Sequence, residues 1–244
     1  MIIDFRTRPP YRGFVTEGNF FPRPMEDNYK NPEDIPGIYL DSVGIESART
    51  GDFGLYMEEL ENSGIDLQVV QGRMVRSGMA RVSNDDVCSL EQLFPEKFIS
   101  FPAVDASDPE GAVAEIRRCF ETYHIRGVAM EPGWCMPPKY VDDRSLDPIY
   151  EICEELGLIC AFTLSVLAGE DLTYCNPLNV QRTALRFPRV TFTVSHGCWP
   201  FVAEFLGAAL QCQNLYFYPD FFMNIPNMPF GDQFVRAANS YMRY

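Results

Sequence analysis

The sequence predicts an α/β fold of the (β/α)8 barrel type, with the eighth strand missing from the chain. Three observations carry that expectation. Short apolar runs of strand length alternate with amphipathic helical stretches seven times, which implies a parallel sheet. The runs are apolar along their whole length, as strands covered on both faces are. At 244 residues the chain can bury one large core, so one domain, residues 1–244, is expected. After the seventh pair the sequence stops, and a closed barrel would lack the strand joining the seventh to the first. Either the sequence is part of a longer chain or the barrel is gapped; an open flavodoxin-like sheet is the alternative fold.

Ile2-Ile3-Asp4-Phe5-Arg6-Thr7-Arg8 opens the chain as the first strand. Strict alternation would place Asp4, Arg6 and Arg8 on one face and Phe5 and Thr7 on the other. Residues 11–50 carry prolines, glycines, aromatics and acids without periodicity and read as a long loop, with short helical turns, over the barrel mouth. Phe53 to Ser63 has helical spacing and Gly64 stops it; Ile65 to Val70 is the second strand. A glycine-dotted basic loop with Arg73, Arg76 and Arg81 leads to Ser83, the N-cap of a helix from Asn84 to Leu93 whose Asp85 and Asp86 suit the helix dipole. Strand three is Phe98 to Val104, and the helix Pro109 to Tyr123 has proline in its first turn. Then follow strand Gly127–Met130, helix Leu146–Leu156 closed by Gly157, and strand Leu158–Thr163. The last elements are helix Val180–Phe187, strand Arg189–Val194, helix Phe201–Leu210, strand Leu215–Tyr218 and helix Asp232–Met242.

The composition narrows the partners. A formal charge of −14 argues against nucleic acid, which needs a basic face. The chain begins with a strand containing an acid, without the basic start and long apolar run of a signal peptide, so a soluble cytoplasmic protein with no membrane partner is expected. Eight scattered cysteines without a C-x-x-C pair read as free core thiols.

The opening strand resembles that of amidohydrolase family 2, whose first strand reads I-D-x-H-x-H with two metal-binding histidines. Here Arg6 and Arg8 stand at the histidine positions. Thr191-Phe-Thr-Val-Ser-His196-Gly-Cys-Trp-Pro-Phe201 is similar to the segment that ends the family's sixth strand in an active-site histidine, and the stretches 72–87 and 93–101 are similar to those after strand two. The resemblance spans nearly the whole chain and implies the barrel, a small-molecule substrate and a divalent metal, zinc or manganese. It also departs at the metal site. The family's strand-five histidine falls at or beside Thr163, its last-strand aspartate lies past Tyr244, and His196 alone keeps a ligand position. Arginine has no lone pair to give a metal, and a hydrolytic zinc needs about three protein ligands, so the usual metal is not expected.

The expected catalytic groups are therefore His196, Arg6, Arg8 and Asp4, with His196 as general acid or base, the guanidinium groups holding a carboxylate or an oxyanion, and Asp4 orienting an arginine. Arg73, Glu131, Thr163, Trp199, Tyr218 and Asp220 are the expected substrate-binding residues, placed after strand ends at the C-terminal face where barrels keep their chemistry. A competing reading makes Arg6 and Arg8 part of a buried ion network with Asp4 and Glu131; another makes Asp220 a loop cap. Cys198 is a poor nucleophile candidate, and His124, at the opposite end of the barrel, reads as structural. The function expected is hydrolysis of a small carboxylated lactone, ester or amide without the usual metal, on the pattern of a metal-independent lactonase of the family. Non-oxidative decarboxylation and a non-catalytic acid-binding barrel are the alternatives, and the reading leaves room for a homo-oligomer.

Overall fold

The computed structural model describes residues 1–16, 46–75 and 81–218, with Asp220, Asp232 and Arg236. Among the described residues seven strands form: β1 (Ile3–Thr7), β2 (Leu67–Gln71), β3 (Phe98–Phe101), β4 (Gly127–Met130), β5 (Ile159–Thr163), β6 (Phe192–Ser195) and β7 (Leu215–Tyr218). They are parallel and lie in sequence order, β1-β2-β3 and β4-β5-β6-β7. A parallel bridge between Ala103 and Ala129 joins the two groups. Sequential order is that of a barrel; a doubly wound sheet would reverse it at a switch point. The array curves back on itself, since the Phe5 and Tyr218 rings, from β1 and β7, lie 5.1 Å apart. Gln71 Nε2 spans the same gap, donating to the Phe5 carbonyl and the Tyr218 hydroxyl.

Eight helices accompany the strands among the described residues: α1 (Gly13–Thr16), α2 (Glu46–Thr50), α3 (Phe53–Ser63), α4 (Asn84–Leu93), α5 (Pro109–Tyr123), α6 (Asp147–Leu156), α7 (Pro177–Arg186) and α8 (Val202–Gln211). Local chemistry sets their ends. Ser83 accepts from the Asp85 amide, Asp108 from Gly111 and Asn176 from Leu178, satisfying first-turn donors. Gly64 and Gly157 end α3 and α6 in the left-handed conformation. Helix α7 starts at Pro177 rather than Val180, because Asn176 caps it and proline suits the first turn. Strand β6 starts at Phe192 rather than Arg189, because the Val190 amide closes a turn on the Phe187 carbonyl. The expected helix Asp232–Met242, Arg76 and most of the loop 11–50 lie outside the described residues.

The strands' outward side chains, such as Val128, Phe162 and Phe192, pack under Ile116, Ile149, Tyr150 and Phe205 of the helices. Inside, Val69, Phe101, Ala103, Ala129 and Ala161 fill the floor with Phe5. Gly127 makes room there: a Cβ on it would stand 2.5 Å from the Phe101 ring. Above this floor the interior turns polar, with Gln71, Glu131, Thr163 and Ser195 all buried. All eight cysteines are free and buried. No described helix is long and apolar enough to cross a membrane.

Strand β1 departs from strict alternation. Asp4 is opposite Gln68 and Thr7 opposite Val70, so three steps on β1 face two on β2, a β-bulge. Phe5 and Arg6 therefore both face inward. Asp4 lies on the helix side with Gln68, whose Oε1 accepts from Tyr56 of α3. The shared face expected for Asp4, Arg6 and Arg8 is thus corrected: the bulge separates Asp4 from the two arginines.

Candidate active site

At the C-terminal end of the strands three arginines converge on one carboxylate. Glu131 follows β4 and is 4% exposed. Its Oε1 accepts from Arg8 Nη2 at 3.2 Å and its Oε2 from Arg73 Nε at 2.7 Å, while Arg6 Nη2 lies 3.9 Å away. Burial alone would push the Glu131 carboxyl up, but Arg8, Arg73 and Arg6 together outweigh it and hold it down at about 2. Burial and then the like charge of Arg6 push the Arg8 guanidinium down to about 9, which leaves it protonated at neutral pH.

Beside this cluster His196 Nδ1 lies 2.5 Å from Asp220 Oδ1. A carboxylate only accepts, so Nδ1 carries the proton and base chemistry belongs to Nε2. Arg6 Nη1 is 3.6 Å from the other oxygen of Asp220, which ties the pair to the arginine cluster. Burial and the charge of Arg6 lower the His196 pKa, opposed by Asp220. The backbone here is strained: His196, Gly197 and Cys198 have φ of 65°, 52° and 55°, left-handed values that cost a non-glycine residue about 1–2 kcal/mol. Bonds from Trp199 N to the His196 carbonyl and from Phe201 N to that of Cys198 hold the turn. Strain of this kind collects where a side chain must be aimed.

The other expected residues divide. Tyr218 points inward, and its hydroxyl oxygen accepts from Gln71 Nε2 at 2.6 Å and Ser195 Oγ at 3.0 Å. Thr163 is buried opposite Ser195 on the neighbouring strand. Trp199 ends the strained turn and its carbonyl accepts from Val166 N. Asp4 accepts from the Arg6 amide rather than from its guanidinium, and burial first of all raises its pKa. Arg81 pairs with Asp105, away from Glu131. Cys198 is fully buried with its thiol pushed well up, which removes the nucleophile reading. His124 caps the C-terminus of α5. Sequence reasoning passed over Gln71 and Ser195; the available signal was a polar residue at an inward position near the end of an apolar strand.

The donor set does not fit a divalent metal at the position the resemblance implies. Arg6 and Arg8 replace two imidazoles with fixed positive charges, and Arg6 lies against the only acid that His196 engages among the described residues. Two ligands facing guanidinium groups make a poor cation site.

Comparison with known proteins agrees with this architecture. An uncharacterized TIM-barrel protein from Bordetella bronchiseptica superposes with a TM-score of 0.84 at 34% identity, covering 99% of this chain and 82% of the other. The 5-carboxyvanillate decarboxylase of Novosphingobium aromaticivorans, solved with manganese and 3-methoxy-4-hydroxy-5-nitrobenzoic acid, shares the fold, with a TM-score of 0.54 at 16% identity over 86% of this chain and 67% of its own. A 2-amino-3-carboxymuconate-6-semialdehyde decarboxylase from Dictyostelium discoideum is 29% identical over 125 residues, 47% of this chain and 34% of the relative. This match thus spans about a third of the relative's length. A model of the amidohydrolase family, described as Amidohydro_2, matches residues 6–238, and the chain belongs to that family.

Proposed function

We propose that the chain hydrolyses a small carboxylated lactone, ester or amide, with protein cations in place of a metal ion. The observation that carries this reading is the convergence of Arg6, Arg8 and Arg73 on Glu131 beside the His196–Asp220 pair. Three guanidinium groups face two carboxylates here, and with His196 neutral this leaves a single positive charge in the described cluster to attract an anion.

His196 Nε2 takes a proton from water as the water oxygen attacks the substrate carbonyl carbon. The carbonyl oxygen becomes an oxyanion facing the guanidinium cluster and the Tyr218 hydroxyl. The tetrahedral intermediate then collapses: the C–O or C–N bond breaks, its electron pair leaves with the alcohol or amine, and His196 returns the proton to it. Asp220 holds the imidazole tautomer and offsets its transient charge. A lowered His196 pKa keeps the ring neutral near pH 7, as a base requires.

A second reading is decarboxylation, favoured by the similarity to the Dictyostelium discoideum decarboxylase. A panel of carboxylated lactones, esters and free acids, followed at once by a pH indicator and by carbon dioxide release, separates the two. Acid release without carbon dioxide, lost in Arg6→Met and His196→Ala, supports hydrolysis. Stoichiometric carbon dioxide, or turnover that survives both substitutions, contradicts it.

A further inference from the structure

We propose that the three arginines divide their work: Arg8 and Arg73 build the site, and Arg6 receives the carboxylate of the ligand. The inference rests on the reading that this cluster binds a small acid, and it names the receiving residue and the length of the acid.

The contrast lies in hydrogen bonding. Arg8 donates from Nε to the Gln71 carbonyl and from Nη2 to Glu131, and Arg73 donates to Glu131 at 2.7 Å. Arg6 is as deeply placed, its side chain 15% exposed against 13% and 17% for the other two. Yet among the described residues its guanidinium donates no hydrogen bond. Its carboxylate neighbours stand at 3.6 and 3.9 Å, and Nε is buried without a partner. A largely buried guanidinium whose donors are unmet is costly. The charge is held in place from two sides while the fork stays available to a bidentate oxyanion.

The same distances limit the ligand. Arg6 Nη1 and His196 Nδ1 contact the two oxygens of a single carboxylate, Asp220, at 3.6 and 2.5 Å. They are therefore no more than about 8 Å apart, and Nε2, the nitrogen left to act as base, lies about 2 Å further across the ring, within about 10 Å of Arg6 Nη1. A carboxylate on the Arg6 fork and a carbonyl within reach of a water on His196 then belong to one short acid, with about one to three carbons between the two groups.

Titration calorimetry on the full chain tests this with malonate, succinate and glutarate as probes and dimethyl malonate as the uncharged control. Wild type is expected to bind one of the diacids and to ignore the diester. Arg6→Met is expected to weaken diacid binding by about 100-fold, the scale of a charge-assisted bidentate pair. Arg6→Lys, which keeps the charge without the fork, should fall between. Near-ultraviolet circular dichroism confirms that the variants are folded, and a fold lost in Arg6→Met leaves Arg6→Lys to decide. Unchanged diacid affinity in folded Arg6→Met or Arg6→Lys, or no diacid binding by wild type, overturns the proposal. Arg6-dependent binding without hydrolysis of any ester or lactone would sink the hydrolytic reading alone. Hydrolysis that persists in Arg6→Met sinks this inference and leaves a hydrolase.

Discussion

Replacing Glu131 by Gln removes the charge on which the arginines converge while keeping nearly the same shape. Glu131 is held at about 2 against 4.5 for an ordinary glutamate. The drop corresponds to about 3 kcal/mol of differential stabilisation of the charged form, on the scale of 1.4 kcal/mol per pKa unit. At 4% exposure, solvent screening takes little from that figure. The folded pKa is depressed, so the contribution is complete above pH 4.5 and disappears as the pH falls toward 2. Glu131→Gln should therefore lower the urea unfolding free energy at pH 7 by about 3 kcal/mol, of the size seen when one partner of a buried ion pair is removed. The gap to wild type should narrow in acid, becoming clearly smaller by about pH 3.5. Equal stability of variant and wild type at pH 7, or a gap that does not change with pH, would refute the claim that the carboxylate anchors the cluster.

Further predictions concern the histidine pair, the barrel floor and the thiols. Asp220→Asn should lower kcat by about 100-fold or more, because it disturbs the tautomer that Asp220 sets, while removing a negative charge beside Arg6 should not weaken diacid binding; a KM-only effect in steady-state kinetics would count against that role. His196 must be neutral to act as a base and its pKa is lowered, so kcat/KM should fall only as the pH drops below the 6.5 of an ordinary histidine. A pH profile already falling above 7 would contradict this. Gly127→Ala should destabilise by about 2–3 kcal/mol in urea melts, because its Cβ would meet the Phe101 ring at 2.5 Å and the Ile159 carbonyl oxygen at 2.8 Å; wild-type stability would show that the floor is loosely packed. All eight thiols are buried, so Ellman's reagent should label native protein slowly and unfolded protein at once. Rapid native labelling of several thiols would contradict the core placement.

Much of the fold was legible because local chemistry and packing agree along the chain. Ser83, Gly64 and Gly157 announce helix ends that the backbone then adopts. The apolar runs at 98–101 and 127–130 are strands because both their faces are covered or turned inward, and 215–218 is one although Tyr216 stays exposed. Boundaries slipped where a cap or turn shifted the start, as Asn176 and Val190 did. The bulge in β1 was not legible, since one extra residue breaks the alternation without changing composition, and it moved Asp4 to the helix side. The site was legible in part. Arg6, Arg8 and Glu131 could be placed at strand ends, and an arginine–glutamate network was among the readings. Arg73 joining Glu131 and Asp220 taking His196 depend on strand ends that the fold brings together although they lie far apart in sequence.

The central claim is that fixed guanidinium groups perform the electrostatic work of a metal ion. Its most direct test is elemental analysis of freshly purified protein, paired with turnover before and after chelation. The account predicts divalent metal well below one equivalent per chain and turnover unchanged by chelator. A full equivalent of zinc or manganese, with activity lost on chelation and restored by that metal, would contradict it.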